Sequence, residues 1–164
     1  MKTSLKKGTI FLTLSSLIFI TSGYIINIFL GRYLGPELYG SYGVLISIIT
    51  VLNILQTSGF TQAASKYIAE DEKKADSIIA STFRIQIVFT SILAILLFLL
   101  SDPIAKALND RSLSLYIKLS VFILPFYSFY SLLVDYYNGM HYFKKQAILN
   151  SIYSISKAIL VIFF

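Results

Sequence analysis

The chain alternates between long apolar runs and short polar segments, and five runs can be distinguished. A membrane-spanning helix needs about 20 predominantly apolar residues, and each run is close to that length. Backbone groups inside a bilayer need internal hydrogen-bond partners, and no run alternates with the period of a strand, so we expect helices. The pattern predicts five spanning helices, at about 8–31, 39–65, 77–101, 112–135 and 147–164.

Glycine and proline separate several of these runs. The segment 31–40 contains Gly31, Gly35, Pro36 and Gly40, which predicts a tight turn between two antiparallel helices. Ser101-Asp102-Pro103 predicts a helix end followed by a new start, because proline is tolerated in a first helical turn. The sequence stops within an apolar run, and we therefore expect a single transmembrane region that is the front part of a longer transporter.

Composition supports an all-α, polytopic membrane protein. Hydrophobic residues make up 56% of the chain and charged residues 13%, whereas soluble domains carry about 25% charged residues. Cysteine is absent and His141 is the one histidine, so we expect no metal site, no cofactor and no thiol chemistry. No hydrolase or phosphate-loop motif occurs, and we do not expect an enzyme. The net charge of +6 indicates membrane topology and not a nucleic-acid partner.

The basic residues are distributed unequally between the two sides of the predicted bundle. Lysine and arginine collect in cytoplasmic loops, which sets the orientation of a multi-pass protein. One side carries eight, and these are Lys2, Lys6, Lys7, Lys66, Lys73, Lys74, Lys144 and Lys145. The other side carries three, which are Arg32, Lys106 and Arg111. We predict a cell-membrane protein with a cytoplasmic N-terminus.

Polar residues in or beside the spans are the candidates for a substrate path, since an ionised group at mid-depth costs about 2.5–3.5 kcal/mol. Arg84 and Lys118 lie near helix starts, where an interfacial anchor is the alternative. Lys157 lies near mid-depth, where reaching either headgroup layer is difficult. The full candidate set is Arg32, Lys157, Asn27, Arg84, Lys118 and Asp135.

Three segments resemble one membrane-protein family. Gly31-Arg-Tyr-Leu-Gly-Pro-Glu-Leu-Tyr-Gly-Ser-Tyr-Gly43 is similar to the turn after the first helix of polysaccharide-biosynthesis membrane proteins. Gly59-Phe-Thr-Gln-Ala-Ala-Ser-Lys-Tyr-Ile-Ala-Glu70 resembles the end of their second helix, and Asn138-Gly-Met-His-Tyr-Phe-Lys-Lys-Gln-Ala147 resembles the loop before their fifth. These are the oligosaccharide flippases of the multidrug/oligosaccharidyl-lipid/polysaccharide exporter superfamily.

The resemblance implies a fold and an activity. Such proteins have about twelve to fourteen helices in two lobes that rock about a central cavity, and this chain supplies most of the first lobe. The implied activity is movement of a lipid-linked oligosaccharide or polysaccharide precursor between leaflets, and Arg32 matches the family's arginine after the first helix. The implied partners are membrane lipid, the lipid-linked sugar, and glycosyltransferases or a polymerase of the same pathway. A small multidrug-type exporter subunit and a non-transporting membrane anchor or assembly subunit remain the alternatives.

Overall fold

The computed structural model describes residues 5–163, which are almost entirely helical. No strand occurs in this part of the chain, so the all-α prediction is confirmed. The elements in order are α1 (Leu5–Tyr33), α2 (Gly35–Thr57), α3 (Phe60–Glu70), a 3₁₀ turn (Glu72–Lys74), α4 (Ala75–Ala107), α5 (Ser112–Ser120), α6 (Ile123–Gly139) and α7 (Phe143–Phe163).

The described residues contain five helical segments long and apolar enough to cross a bilayer, as predicted. Three of the five are composite: α3 continues α2 after a short break, the 3₁₀ turn leads directly into α4, and α6 continues α5. The segments are Lys6–Tyr33, Gly35–Glu70, Glu72–Ala107, Ser112–Gly139 and Phe143–Phe163.

The break in the second segment is caused by a glycine. Gly59 has φ +149° and ψ −85°, a conformation that a residue with a Cβ rarely adopts. The preceding Ser58 also leaves the helical region, with ψ +79°. The helix therefore stops at Thr57 and restarts at Phe60.

Proline acts differently at its two positions inside the bundle. Pro125 lies in the first turn of α6 and has no N–H to donate to the Val121 carbonyl. That carbonyl instead accepts a hydrogen bond from the Leu124 N–H at 3.2 Å, and α5 ends and α6 begins at this point. The predicted helix end at Pro103 is wrong, because α4 continues through it to Ala107. In the turn before Pro103, the Ser101 hydroxyl donates to the Phe98 carbonyl at 2.7 Å and satisfies a backbone acceptor locally.

The helices run up and down, with α6 at the centre. It contacts α2, α3, α4 and α7, whereas α1 packs mainly along α7 and also touches α2. The end where α1 begins is called the amino end here. Gly8 lies against Phe143 there, and His141 Nδ1 is 3.9 Å from Glu72 Oε1. A buried apolar cluster lies between α4, α5 and α6, and comprises Leu93, Leu97, Ala105, Leu113, Ile117 and Leu124.

Candidate functional site

Arg32 lies in the last turn of α1, at the end of the bundle opposite the amino end. Its side chain is exposed, and it forms no ion pair with any residue of the described range 5–163. The unpaired carbonyls of a helix C-terminus attract a cation. A guanidinium held in this way keeps its planar donor edge available for a phosphate or carboxylate.

Asn27 points away from Arg32, although it lies only five residues before it. Five residues turn an α-helix so that the two side chains are about 140° apart. The Asn27 amide nitrogen donates to the Gly23 carbonyl at 2.8 Å, and its oxygen accepts from the Tyr39 hydroxyl at 3.1 Å. Asn27 therefore joins α1 to α2.

Lys157 is exposed on α7 and has no ion pair with any residue that the structure describes. It lies one turn beyond Tyr153 and two turns beyond Asn150, so the three share a face of the helix. Tyr153 and Asn150 contact α6. The ammonium of Lys157 thus lies beside the junction of α6 and α7, where polar aromatic side chains collect.

Tyrosines fill the contact between α6 and α7. The rings of Tyr130 and Tyr153 stack with centroids 4.4 Å apart, and Tyr127 lies edge-on to Tyr153 at 6.5 Å. The Tyr130 hydroxyl donates to the Asn150 side-chain oxygen at 2.8 Å. These tyrosines were not among the candidate residues predicted from the sequence. The sequence did contain a signal for this contact. Tyr127 and Tyr130 are three residues apart, as are Asn150 and Tyr153, and residues three apart lie on the same face of a helix.

Asp135 belongs to the contact between α3 and α6. It is half-buried, and the nearby Thr61 hydroxyl donates to the Thr57 carbonyl at 3.2 Å. One turn further along α6, the Asn138 amide nitrogen donates to the Ser65 hydroxyl at 3.1 Å. A Cβ on Gly139 would be 2.6 Å from the Ser65 carbonyl oxygen, so only glycine fits at this close approach.

Lys118 is neutralised by a carboxylate. Its Nζ lies 3.0 Å from both side-chain oxygens of Asp102, which also accepts a hydrogen bond from the Ser114 hydroxyl. Arg84 has no such partner among residues 5–163, and its exposed side chain lines an apolar groove between α3 and α4. Within that range, no hydrogen bond or ion pair joins any two of the six candidates.

A buried polar layer connects α2, α4 and α6. The Gln86 amide nitrogen donates to the Ser128 carbonyl at 3.1 Å and to the Ser131 hydroxyl at 3.3 Å. The Thr90 hydroxyl lies 3.2 Å from Gln56 Oε1 and 3.0 Å from Ser128 Oγ. Gln56 Nε2 and Gln86 Oε1 are buried without a partner. This layer was not predicted from the sequence, because it consists of neutral amides and hydroxyls that lie inside apolar runs.

Two loop carboxylates have lowered pKa values. Hydrogen bonds from the Ser112 and Ser41 hydroxyls hold the pKa of Asp110 below its ordinary value. A hydrogen bond from Lys74, whose Nζ is 3.0 Å away, lowers the pKa of Asp71. Both groups stabilise turns outside the spanning segments. Within the described residues, no three side chains of His, Cys, Asp or Glu come together as a metal site.

Comparison with known proteins gives one match. The family model described as polysaccharide biosynthesis protein matches residues 5–164, which is nearly the whole chain. No curated protein and no solved structure matches the chain.

Proposed function

Because the chain belongs to the polysaccharide biosynthesis protein family, we propose that it moves a lipid-linked oligosaccharide or polysaccharide precursor between the leaflets of the cell membrane. Proteins of this family are generally transporters. The substrate carries a polar sugar on a lipid through one or more phosphates, so crossing the bilayer requires a hydrated or polar route for the head while the lipid tail stays in hydrocarbon.

The observation that carries the proposal is the presence of two exposed, unpaired cations on the packed pair of helices α1 and α7. Arg32 and Lys157 are exposed and have no carboxylate partner in the described range. Their positive potential would offset the charge of a phosphate that leaves water. Removing an anion from water is costly unless opposite charge compensates it. Lys157 would lower this cost near mid-depth, and Arg32 would do so at the end of the bundle where the phosphate leaves or enters water.

The proposed orientation places the amino end in the cytoplasm. The turn between α3 and α4 and the turn between α6 and α7 both lie at that end, beside the start of α1. Their basic residues, with those of α1, are Lys6, Lys7, Lys66, Lys73, Lys74, Lys144 and Lys145. Loops that are rich in lysine and arginine are retained on the cytoplasmic side when a protein inserts into the membrane. Glycosyltransferases that build the precursor there, and a polymerase that uses it on the other side, are the proposed partners.

Charge reversal tests the proposal in cells that produce the protein. We expect Arg32→Glu and Lys157→Glu each to reduce surface polymer by about tenfold, equivalent to about 1.4 kcal/mol. Lipid-linked precursor should accumulate in the cytoplasmic leaflet, and membrane levels of the protein should stay unchanged. The matched control is Arg111→Glu, an exposed arginine in the turn before α5, which should export normally.

Two results would refute this function. If both charge-reversal variants export polymer normally, Arg32 and Lys157 do not take part in transport. Loss of polymer without accumulation of precursor would instead indicate an assembly subunit that acts before the transport step.

A further inference from the structure

Arg84 lies on the side of α4 that faces away from the core. The buried face of α4 includes Gln86, Thr90 and Leu93. Arg84 is two residues before Gln86, so its side chain is about 160° away around the helix axis. It is exposed, and no carboxylate in the described part of the chain pairs with it. A guanidinium with no ion pair among residues 5–163 on an outer helix face is available to bind an anion.

The depth of Arg84 matches the level of lipid phosphates. The 17 residues from Ile85 to Ser101 carry no charge, and a helix of that length spans about 25 Å. That length is close to the hydrocarbon thickness of about 30 Å. At the far boundary lies Asp102, which already has Lys118 as a partner at 3.0 Å. Arg84 therefore marks the boundary nearer the amino end, and it has no ion pair with any residue that the structure describes.

An apolar groove of about 440 Å³ adjoins this cation. Its other walls are Phe60, Ile85, Val88, Phe89 and Ile92. The rings of Phe60 and Phe89 meet edge to face at 5.6 Å and join α3 to α4. Phe60 is the first residue of α3 after the break at Gly59, so the break positions the ring that closes one side of the groove.

We propose that this groove binds an anionic glycerophospholipid of the surrounding bilayer, with the phosphate at Arg84 and an acyl chain along α4. Charge complementarity and the apolar walls together specify this ligand. The site lies apart from Arg32 and Lys157, because α4 makes no substantial contact with α1 or α7. The proposed lipid site is therefore independent of the transport route. It adds a structural lipid, bound at the outer face of α3 and α4, to the proposed function.

Native mass spectrometry of the detergent-purified protein tests the site with added phosphatidylglycerol and phosphatidylcholine. We expect Arg84→Gln to weaken retention of phosphatidylglycerol about fivefold, which corresponds to about 1 kcal/mol for one cation near an anionic lipid surface. Arg84→Lys should retain most of the binding, since the charge is kept. Lys144→Gln removes one exposed positive charge at the same end of the bundle and should leave retention unchanged.

Photocrosslinking provides a second readout that does not depend on a substitution. Phosphatidylglycerol with a diazirine on its acyl chain should label the peptide that contains Val88 and Ile92. Equal retention of phosphatidylglycerol by Arg84→Gln and the unaltered protein would overturn the proposal, as would labelling confined to other helices. Preference for a polyprenyl diphosphate over phosphatidylglycerol at Arg84 would also contradict it, by assigning the groove to the transported substrate.

Discussion

The α3–α6 contact and the α1–α7 contact are both close, but they use their polar side chains differently. Across α3 and α6, the Asn138 amide donates to the Ser65 hydroxyl at 3.1 Å. On α1 and α7, the buried serines Ser15 and Ser154 donate to carbonyls of their own helices, at 2.9 and 2.8 Å. Hydrogen bonds within one helix do not fix its register against a neighbour, whereas bonds between helices do.

This difference separates a rigid part of the molecule from a part suited to movement. The α3–α6 contact is fixed by the Asn138–Ser65 hydrogen bond and by Gly139, which has no room for a Cβ. The α1–α7 contact also has a tight glycine, Gly8 against Phe143. The α1–α7 pair carries Arg32 and Lys157 and is connected to the rest of the bundle mainly through α2 and α6. We infer that α1 and α7 can slide along each other at lower cost than α3 and α6, and the two unpaired cations lie on these two helices.

The largest expected effect comes from filling the α3–α6 contact. Gly139→Leu puts a side chain against the Ser65 carbonyl and Ile68, and should lower the free energy of unfolding by about 3 kcal/mol. Gly23→Ala is the control on α1, because a Cβ there meets no atom within 4 Å; it should be neutral or stabilising by up to about 1 kcal/mol. Denaturation of the detergent-solubilised variants measures both. Equal destabilisation would show that the loss at Gly139 does not come from the contact with Ser65 and Ile68.

Deleting one hydrogen-bonding group in each contact should give a smaller difference. Asn138→Ala removes a bond between helices and should cost about 1 kcal/mol. Ser154→Ala removes a bond within α7 and should cost less than about 0.5 kcal/mol. The same denaturation assay applies. A larger loss for Ser154→Ala would mean that the α1–α7 contact is the more tightly held of the two.

A matched pair of lysines compares a paired cation with an unpaired one. Lys118→Gln breaks the 3.0 Å contact with Asp102 and should cost about 0.5 kcal/mol, an effect that salt should reduce because both groups are partly exposed. Lys157→Gln should leave the free energy of unfolding unchanged, since no ion pair is lost within residues 5–163. Salt-sensitive destabilisation by Lys157→Gln would show that this lysine has a structural partner.

The smallest expected effect is pH dependence at the turn that joins α4 to α5. The pKa of Asp110 is lowered by hydrogen bonds from Ser112 and Ser41, so the unfolded chain takes up this proton more readily than the folded one. The stabilisation is therefore complete above the ordinary pKa and is lost as pH falls through the lowered value. Melting temperatures of the unaltered protein and Ser41→Ala should converge as the buffer is acidified through the lowered pKa of Asp110. A constant difference would exclude Asp110 as the titrating group.

Local sequence signals predicted the number of spans but not the pairing of polar groups. Runs without charge indicated five spanning segments, because chain length and polarity alone decide whether a helix can cross a bilayer. The Lys118–Asp102 pair lies sixteen residues apart on two helices and depends on how α4 packs against α5. The Tyr130–Tyr153 stack likewise depends on the α6–α7 contact. Pro103 was misassigned because α4 continues through it to Ala107, although the proline has no N–H to donate to the Leu99 carbonyl.

The absence of cysteine from the sequence allows a direct test of the central claim, which is that Lys157 faces a hydrated route. Single-cysteine variants Lys157→Cys and Ile159→Cys place the thiol at nearly the same depth, about 160° apart around α7. In intact membranes, a charged, membrane-impermeant thiosulfonate should react with Lys157→Cys, and lipid-linked sugar should slow the reaction. Ile159→Cys should remain unreactive. Reaction at Ile159→Cys together with none at Lys157→Cys would contradict the account.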